Sequence, residues 1–270
     1  MAIDIIIPTL GRVDKQITLS NIPEKYHDRV YLVVQEHEYD EICKKYTTPN
    51  IWKLPSGTNG LALTRGIIAK EWAGKRYLCA DDDIQFLRID KSTMKAKKPF
   101  LESDFDDMIN QVEQKMDEGY VHGGLSFHNT PPQENEFNEC GRMWTNVFYS
   151  EKLPVDDITW HVDNKQCAQD FYVNLQLLTK GYPSIIFNHF RVNASATNAP
   201  GGVELYRTIE WHNKWQQFLA DQFPRYVEVY EKVQASGPWK GLPKKAVKIK
   251  WKKAYEDNKK VESTLEDFFS

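Results

Sequence analysis

Asp81, Asp82 and Asp83 stand in a row directly after the apolar run Tyr77-Leu78-Cys79-Ala80. Three adjoining carboxylates repel one another, and taking them out of water is costly unless a cation or strong donors face them. Oxygen-rich clusters of this kind suit Mg2+ or Mn2+, and an ion bridging two phosphates stabilises a departing nucleoside diphosphate as a Lewis acid. The chemistry implied is group transfer from a phosphate-bearing substrate. The alternative, an acidic loop that touches no metal, is disfavoured by the strand that leads into the triplet.

The rest of the chain supplies elements able to position such a cluster. Ile3-Asp4-Ile5-Ile6-Ile7 is a short β-branched run stopped by Pro8 and followed by Gly11, which predicts a buried strand ending in a loop. Val30–Val34, Ile51–Leu54 and Arg76–Ala80 predict further strands, with helices over Glu38–Tyr46 and Leu61–Trp72 between them. Alternation of this kind implies a mainly parallel sheet with right-handed crossovers, and such sheets bind ligands at the carboxyl ends of their strands. Thr9, Gln35 and the triplet would share that rim. The second half predicts a helix from Phe105 to Glu118 capped by Ser103 or Asp104, and strands at His122–Phe127 and Met143–Tyr149. A helix from Asp170 to Lys180, closed by Gly181, then precedes a strand at Ser184–Phe187. Asn193–Gly202 is a loop or linker, and Val203–Ala220 and Arg225–Gln234 predict helices. The expected architecture is therefore α/β, with a domain over residues 1–200 and a helical, lysine-rich extension over 201–270.

Composition sets the outer bounds. A chain of 270 residues with 41% hydrophobic content buries a full core, which excludes a wholly disordered protein. No stretch approaches the roughly 18 apolar residues needed to span a bilayer, and the first residues carry no signal-peptide pattern, so a cytoplasmic protein is expected. Cys43, Cys79, Cys140 and Cys167 lack zinc-site spacing and disulfide density, which predicts reduced thiols. The formal charge of −3 conceals an asymmetry: Trp239–Lys260 holds nine lysines against Glu256 and Asp257, leaving the remainder at −10. An acidic body with a basic appendix suits a polyanionic partner at one end, and equally a solvated helix face.

The order Ile5-Ile6-Ile7-Pro8-Thr9-Leu10-Gly11-Arg12, then Gly60-Leu61-Ala62-Leu63-Thr64-Arg65-Gly66, then Tyr77-Leu78-Cys79-Ala80-Asp81-Asp82-Asp83 resembles the nucleotide-sugar domain of GT-A glycosyltransferases, over roughly residues 1–190. That resemblance implies a single Rossmann-like fold, a UDP-sugar donor and Mn2+ or Mg2+. Position by position it puts Pro8, Thr9 and Arg12 at the uracil pocket, Arg65 at the base or diphosphate, Asp81 and Asp82 against the nucleotide, and Asp83 on the metal. It further implies that Asp170, in Gln169-Asp170-Phe171-Tyr172, is the general base of an inverting transfer. An ordinary helix cap is the competing reading there, and Asp163 is the rival base. His189, directly after Ile185-Ile186-Phe187, would join Asp83 on the metal, although a lone histidine is more often structural. His122 and His128 would line the acceptor side, and Trp144 would stack on a sugar or base.

The sugar-transfer motifs do not identify the acceptor. Lysines alternating with Trp239, Trp251 and Tyr255 combine phosphate-neutralising charge with stacking surface, which points to DNA. The last residues, Leu265-Glu266-Asp267-Phe268-Phe269-Ser270, resemble tails that dock on sliding clamps, with Glu262 where a glutamine is usual, so Leu265, Phe268 and Phe269 would be the anchors. Together these features resemble bacteriophage and TET/JBP-associated glycosyltransferases of hydroxymethylated DNA bases. The implied acceptor is a 5-hydroxymethylpyrimidine such as 5-hydroxymethylcytosine, the implied sugar glucose or arabinose, and the place of action the host cytoplasm for a phage-encoded chain. The competing readings are transfer to polysaccharide or protein, nucleotidyl transfer, and a non-catalytic DNA-binding module.

Overall fold

A computed structural model describes residues 2–90, 93, 97–143, 146–194, 206–235 and 239–259. In chain order its elements are β1 (Asp4–Thr9), α1 (Ile17–Ser20), β2 (Val30–Val34), α2 (Tyr39–Lys45), β3 (Asn50–Lys53), α3 (Leu61–Glu71), β4 (Tyr77–Ala80), β5 (Ile84–Ile89), β6 (Lys97–Pro99), α4 (Glu102–Asp117), β7 (His122–Phe127), β8 (Phe137–Glu139), β9 (Asn146–Tyr149), α5 (Gln169–Thr179) and β10 (Ser184–Ala194). The extension adds α6 (Ile209–Gln222), β11 (Val227–Val233), β12 (Pro243–Ile249) and α7 (Trp251–Glu256).

The ten strands of the main sheet lie in the order β3-β2-β1-β4-β9-β7-β10-β5-β6, with β8 on β10. Strands β1 to β4, β6, β7 and β10 run one way, and β5, β8 and β9 the other. This is the mainly parallel α/β sheet that the alternation of strands and helices predicts. β1 is central because Ile5, Ile6 and Ile7 are fully buried, and the strand period sends them to opposite faces. Ile5 and Ile7 join Leu32 in a core closed by Phe105, Met108 and Val112 of α4, whereas Ile6 joins Val33 in a core closed by Ile68 of α3 and Val173 and Leu177 of α5. Phe105, Met108, Ile109, Val112 and Met116 recur at helical spacing, and full burial of each such side chain stabilises the fold by about 1.5–3 kcal/mol. α4 begins a turn before the predicted start: the Asp104 carboxylate accepts the Leu101 N–H at 3.0 Å.

The extension departs from expectation. Its first helix is present as α6, capped by Thr208 through the Trp211 N–H. The helix predicted over Arg225–Gln234 is instead β11, paired antiparallel with β12. Val227-Glu228-Val229-Tyr230-Glu231-Lys232-Val233 carries charges that read as helical, but its β-branched residues alternate, and a partner strand sixteen residues onward decides the matter. Leu219, Tyr226, Val227 and Ala254 share a core with Tyr172, Leu175 and Leu178 of α5, so the residues beyond 206 pack on the first unit. The proposed boundary at residue 200 and the tail residues Leu265, Phe268 and Phe269 lie outside the described residues, as does Trp144. No helix among the described residues is long and apolar enough to cross a membrane. All four cysteines are free.

Candidate active site

The register of β1 on β4, with Ile6 beside Cys79, brings Thr9 level with Asp82 at the carboxyl rim of the parallel strands. Thr9 Oγ1 donates to Asp82 Oδ2 at 2.7 Å, and Gln16 Nε2 donates to Thr9 Oγ1 at 2.7 Å and to the Arg12 carbonyl at 2.9 Å. Arg12 pairs with Asp82 and, at 3.0 Å, with Asp83. Burial pushes the Asp82 carboxyl up to about 6, with Arg12 and the Thr9 hydroxyl working against it. Pro8 is buried beneath this group, so Pro8, Thr9, Arg12, Asp82 and Asp83 form one side of the rim.

Asp81 turns the other way. Arg65, one turn into α3, donates from Nη2 to Asp81 Oδ1 at 2.6 Å and from Nη1 to Gln169 Oε1 at 3.4 Å. Asp170 follows Gln169 at the start of α5, and its own Oδ1 accepts the Phe171 N–H at 3.0 Å. Burial raises the Asp170 carboxyl, Arg65 lowers it, and Asp81 raises it again, so the three residues act on one another electrostatically. A small cavity lined by Arg65, Cys79, Asn146, Tyr149, Gln169 and Asp170 lies behind them. Asp163, the rival base, is exposed, and its carboxylate takes the Lys165 N–H at 2.8 Å in a local turn.

The loop containing Asp163 is seated by Gly60, the residue before α3. Its φ of 103° belongs to the left-handed region, and a Cβ there would stand 2.1 Å from the Asn164 carbonyl oxygen. That carbonyl accepts the Leu63 N–H at 3.3 Å, so the loop supplies an acceptor to the first turn of α3.

Two residues without any motif signal shape the triplet. Thr18 donates its hydroxyl to the Asp81 carbonyl, its Oγ1 accepts the Ile84 N–H at 2.8 Å, and its N–H reaches the Asp82 carbonyl at 3.1 Å. Glu38 Oε1 accepts the Gly11 N–H at 2.7 Å and so fixes the loop that carries Arg12. Hydroxyl and carboxylate side chains used this way look like ordinary loop residues until the chain is folded.

The histidines sort differently from the sequence-based expectation. Phe187 is not the end of its strand: β10 runs on to Ala194, and Ala194 pairs with Ile84, the residue after Asp83. His189 therefore sits inside the strand, between Phe187 and Arg191, where the register with β7 shifts. Its Nδ1 lies 3.7 Å from Glu136 Oε1, and a metal shared with Asp83 stays a proposal. His122 is fully buried at the start of β7 against Asn174, at 3.0 Å, which removes it from the acceptor side. His128 emerges at the opposite end of β7, its N–H on the Val192 carbonyl, and so reaches the rim that carries Asp83.

Among the described residues no three His, Cys, Asp or Glu side chains gather to hold a metal by protein alone. Asp83 fits another arrangement, in which one or two carboxylates and the substrate's phosphates share a Mg2+ or Mn2+.

The family described as TET-associated glycosyltransferase matches residues 3–202. Two β-glucosyl-HMC-α-glucosyl-transferases, from Enterobacteria phages T6 and T2, are each 28% identical over 232 residues, covering 82% of this chain and 81% of theirs. Among solved structures, residues 1–349 of S. aureus TarS in complex with UDP-GlcNAc superpose with a TM-score of 0.53 at 13% identity, over 82% of this chain and 66% of that one. The chain thus spans just under two thirds of the TarS chain, a likeness of fold.

Proposed function

Because the chain belongs to the TET-associated glycosyltransferase family, we propose that it transfers a sugar from a UDP-sugar to a 5-hydroxymethylpyrimidine in phage DNA, with 5-hydroxymethylcytosine as the first choice. It is a glycosyltransferase. The observation that carries the finer reading is the grouping of Arg65, Asp81 and Asp170 at the rim, beside Thr9, Arg12, Asp82 and Asp83. The UDP-GlcNAc complex of TarS supports a UDP-sugar donor, and the phage T6 and T2 relatives, named for HMC, support an acceptor on a modified cytosine.

In this reading Pro8, Thr9 and Arg12 edge the uracil pocket, Asp81 and Asp82 face the nucleotide, and Arg65 neutralises the diphosphate. Asp83 would hold Mg2+ or Mn2+, which when bound withdraws charge from the leaving phosphates. Asp170 accepts the proton of the acceptor hydroxyl as that oxygen attacks the anomeric carbon, while the carbon–oxygen bond to UDP breaks on the opposite face. The electron pair leaves with the diphosphate, and the product sugar is inverted. A carboxyl raised by burial suits this role, because a stronger base still ionises near neutral pH.

The relatives' names favour a second acceptor, a glucose already attached to the base, with an α-linked product. Both readings are tested by incubating the protein with Mn2+ and UDP-glucose or UDP-arabinose on plain, hydroxymethylated and β-glucosylated DNA. UDP release and the masses of the digested nucleosides are then measured. Release that needs hydroxymethylated DNA supports the first reading, release that needs the glucosylated duplex the second, and nucleotide incorporation would indicate a nucleotidyltransferase.

A further inference from the structure

The lysine-rich extension divides into two kinds of cation. Lys252 and Lys253 on α7 have carboxylate partners one turn away, Glu256 at 3.7 Å and Asp257 at 2.8 Å. On the β11–β12 ribbon Glu228 faces Lys248 and Glu231 faces Lys245, but the next rung differs. Lys232 and Lys244 stand directly opposite each other in the ladder, a like-charge pair that destabilises a hairpin unless something neutralises it. Arg207 enters the same group, and its Nε is buried with no hydrogen-bond partner among the described residues. Among the described residues no ion pair joins Arg207, Lys232 or Lys244 to a carboxylate. Burial lowers Lys244, and Lys232 and Arg207 lower it further; His212 is held down to about 4 by burial and by the same cations. The protein has spent stability on crowding positive charge.

The group is flanked by rings and anchored near the reaction site. Lys244 Nζ lies 5.3 Å from the Trp239 ring centroid, and the Trp239 ring lies tilted by 57° against His212 with centroids 5.7 Å apart. The ring of Tyr206, the residue before Arg207, lies 5.1 Å from Lys165 Nζ, in the loop that Gly60 seats at the start of α3. Cys167 is close enough to feel Arg207, Lys244 and Asp170 together.

We propose that Arg207, Lys232 and Lys244 form a phosphate clamp that grips the backbone of the acceptor DNA next to the modified base, with Trp239 as a stacking or sugar-contact surface beside it. The inference rests on DNA being the acceptor. The donor's diphosphate is the other anion at hand, but Arg12 and Arg65 already serve that rim, and the three clamp residues lie beyond the span that matches the family. Two facing lysines and a half-buried arginine, with no ion pair to a carboxylate among the described residues, are what phosphate oxygens would neutralise by charge-assisted hydrogen bonds. Two or three cations at one strand edge suit successive phosphates of a nucleic acid better than a single anion.

The test uses the full chain and a fluorescent duplex containing 5-hydroxymethylcytosine, titrated across salt from about 50 to 300 mM. Each lost phosphate contact removes roughly 0.9 from the slope of log affinity against log salt, so K232Q/K244Q should lose about 2 and R207Q/K232Q/K244Q nearly 3. K252Q/K253Q should keep the wild-type slope. UDP-glucose binding by calorimetry and the melting temperature establish that each variant is folded, and the double variant stands if the triple variant does not fold. Unchanged slopes in both ribbon variants, alongside DNA-dependent UDP release by the wild type, would remove the clamp and leave the proposed function standing. Loss of UDP-glucose binding with DNA binding intact would reassign the cluster to the donor and overturn the clamp. A slope carried by Lys252 and Lys253 would overturn it too, and a wild type that binds no DNA would end both the clamp and the acceptor reading.

Discussion

Arg65 Nη2 lies 2.6 Å from Asp81 Oδ1, and the same guanidinium is the main positive charge acting on Asp170. One side chain thus links the end of β4 to the start of α5. Arg65 needs no movement to sense both, because α3, β4 and α5 all present their ends to the same rim.

Asp170→Asn should retain UDP-sugar binding and lose transfer by about 100- to 10,000-fold, since the amide keeps the shape but accepts no proton. In the wild type, burial raises the Asp170 carboxyl, so the active ionised form is lost as pH falls, at a higher pH than for an ordinary aspartate. The acid limb of the kcat profile should therefore shift upward and vanish in the variant. Ordinary turnover by Asp170→Asn in a stopped assay would remove the base from this residue.

Asp83→Ala should abolish Mn2+-supported transfer while changing the melting temperature little. Arg12 keeps its pair with Asp82 when Asp83 is gone, so its guanidinium is not left as an uncompensated charge. Titration of the wild type with a chelator should give the same loss of activity, and full turnover in excess chelator would contradict a metal role for Asp83.

Acid should destabilise the protein through His122. Burial holds this imidazole down to about 4 against an ordinary 6.5, with Asn174 opposing weakly. Its folded-state pKa is below the unfolded one, so the unfolded chain binds more protons between pH 6.5 and 4, and stability falls as pH drops through that window. The shift corresponds to about 3 kcal/mol at most. His122→Asn, which can still donate toward Asn174, should be less stable at pH 7.5 yet show a shallower loss down to pH 4, read from urea midpoints. An identical pH slope in both proteins would show that His122 titrates normally.

Gly60→Ala should cost about 2–4 kcal/mol, combining a strained positive φ with a methyl driven into the Asn164 carbonyl. The loop over residues 161–168 would lift from α3, so the KM for the donor should rise along with the fall in melting temperature. Wild-type stability in this variant would mean that the backbone relaxes freely there.

The sequence by itself determined the layered sheet and the location of the site. Local rules suffice for that: β-branched runs stopped by Pro8 or by the aspartates, helical spacing in α3, α4 and α5, and the fact that parallel strands put their carboxyl ends on one edge. What needed the tertiary structure was every relation set by a distant partner. Whether β10 ended at Phe187 or ran to Ala194 depended on β5 lying alongside it, and that pairing put His189 inside the strand instead of after it. Whether 227–233 was helix or strand depended on β12, because an isolated segment of mixed charge and β-branched residues satisfies either period until a ladder partner claims its backbone hydrogen bonds. The same pairing set Lys232 against Lys244, a juxtaposition spread over twelve residues of sequence that no local pattern encodes.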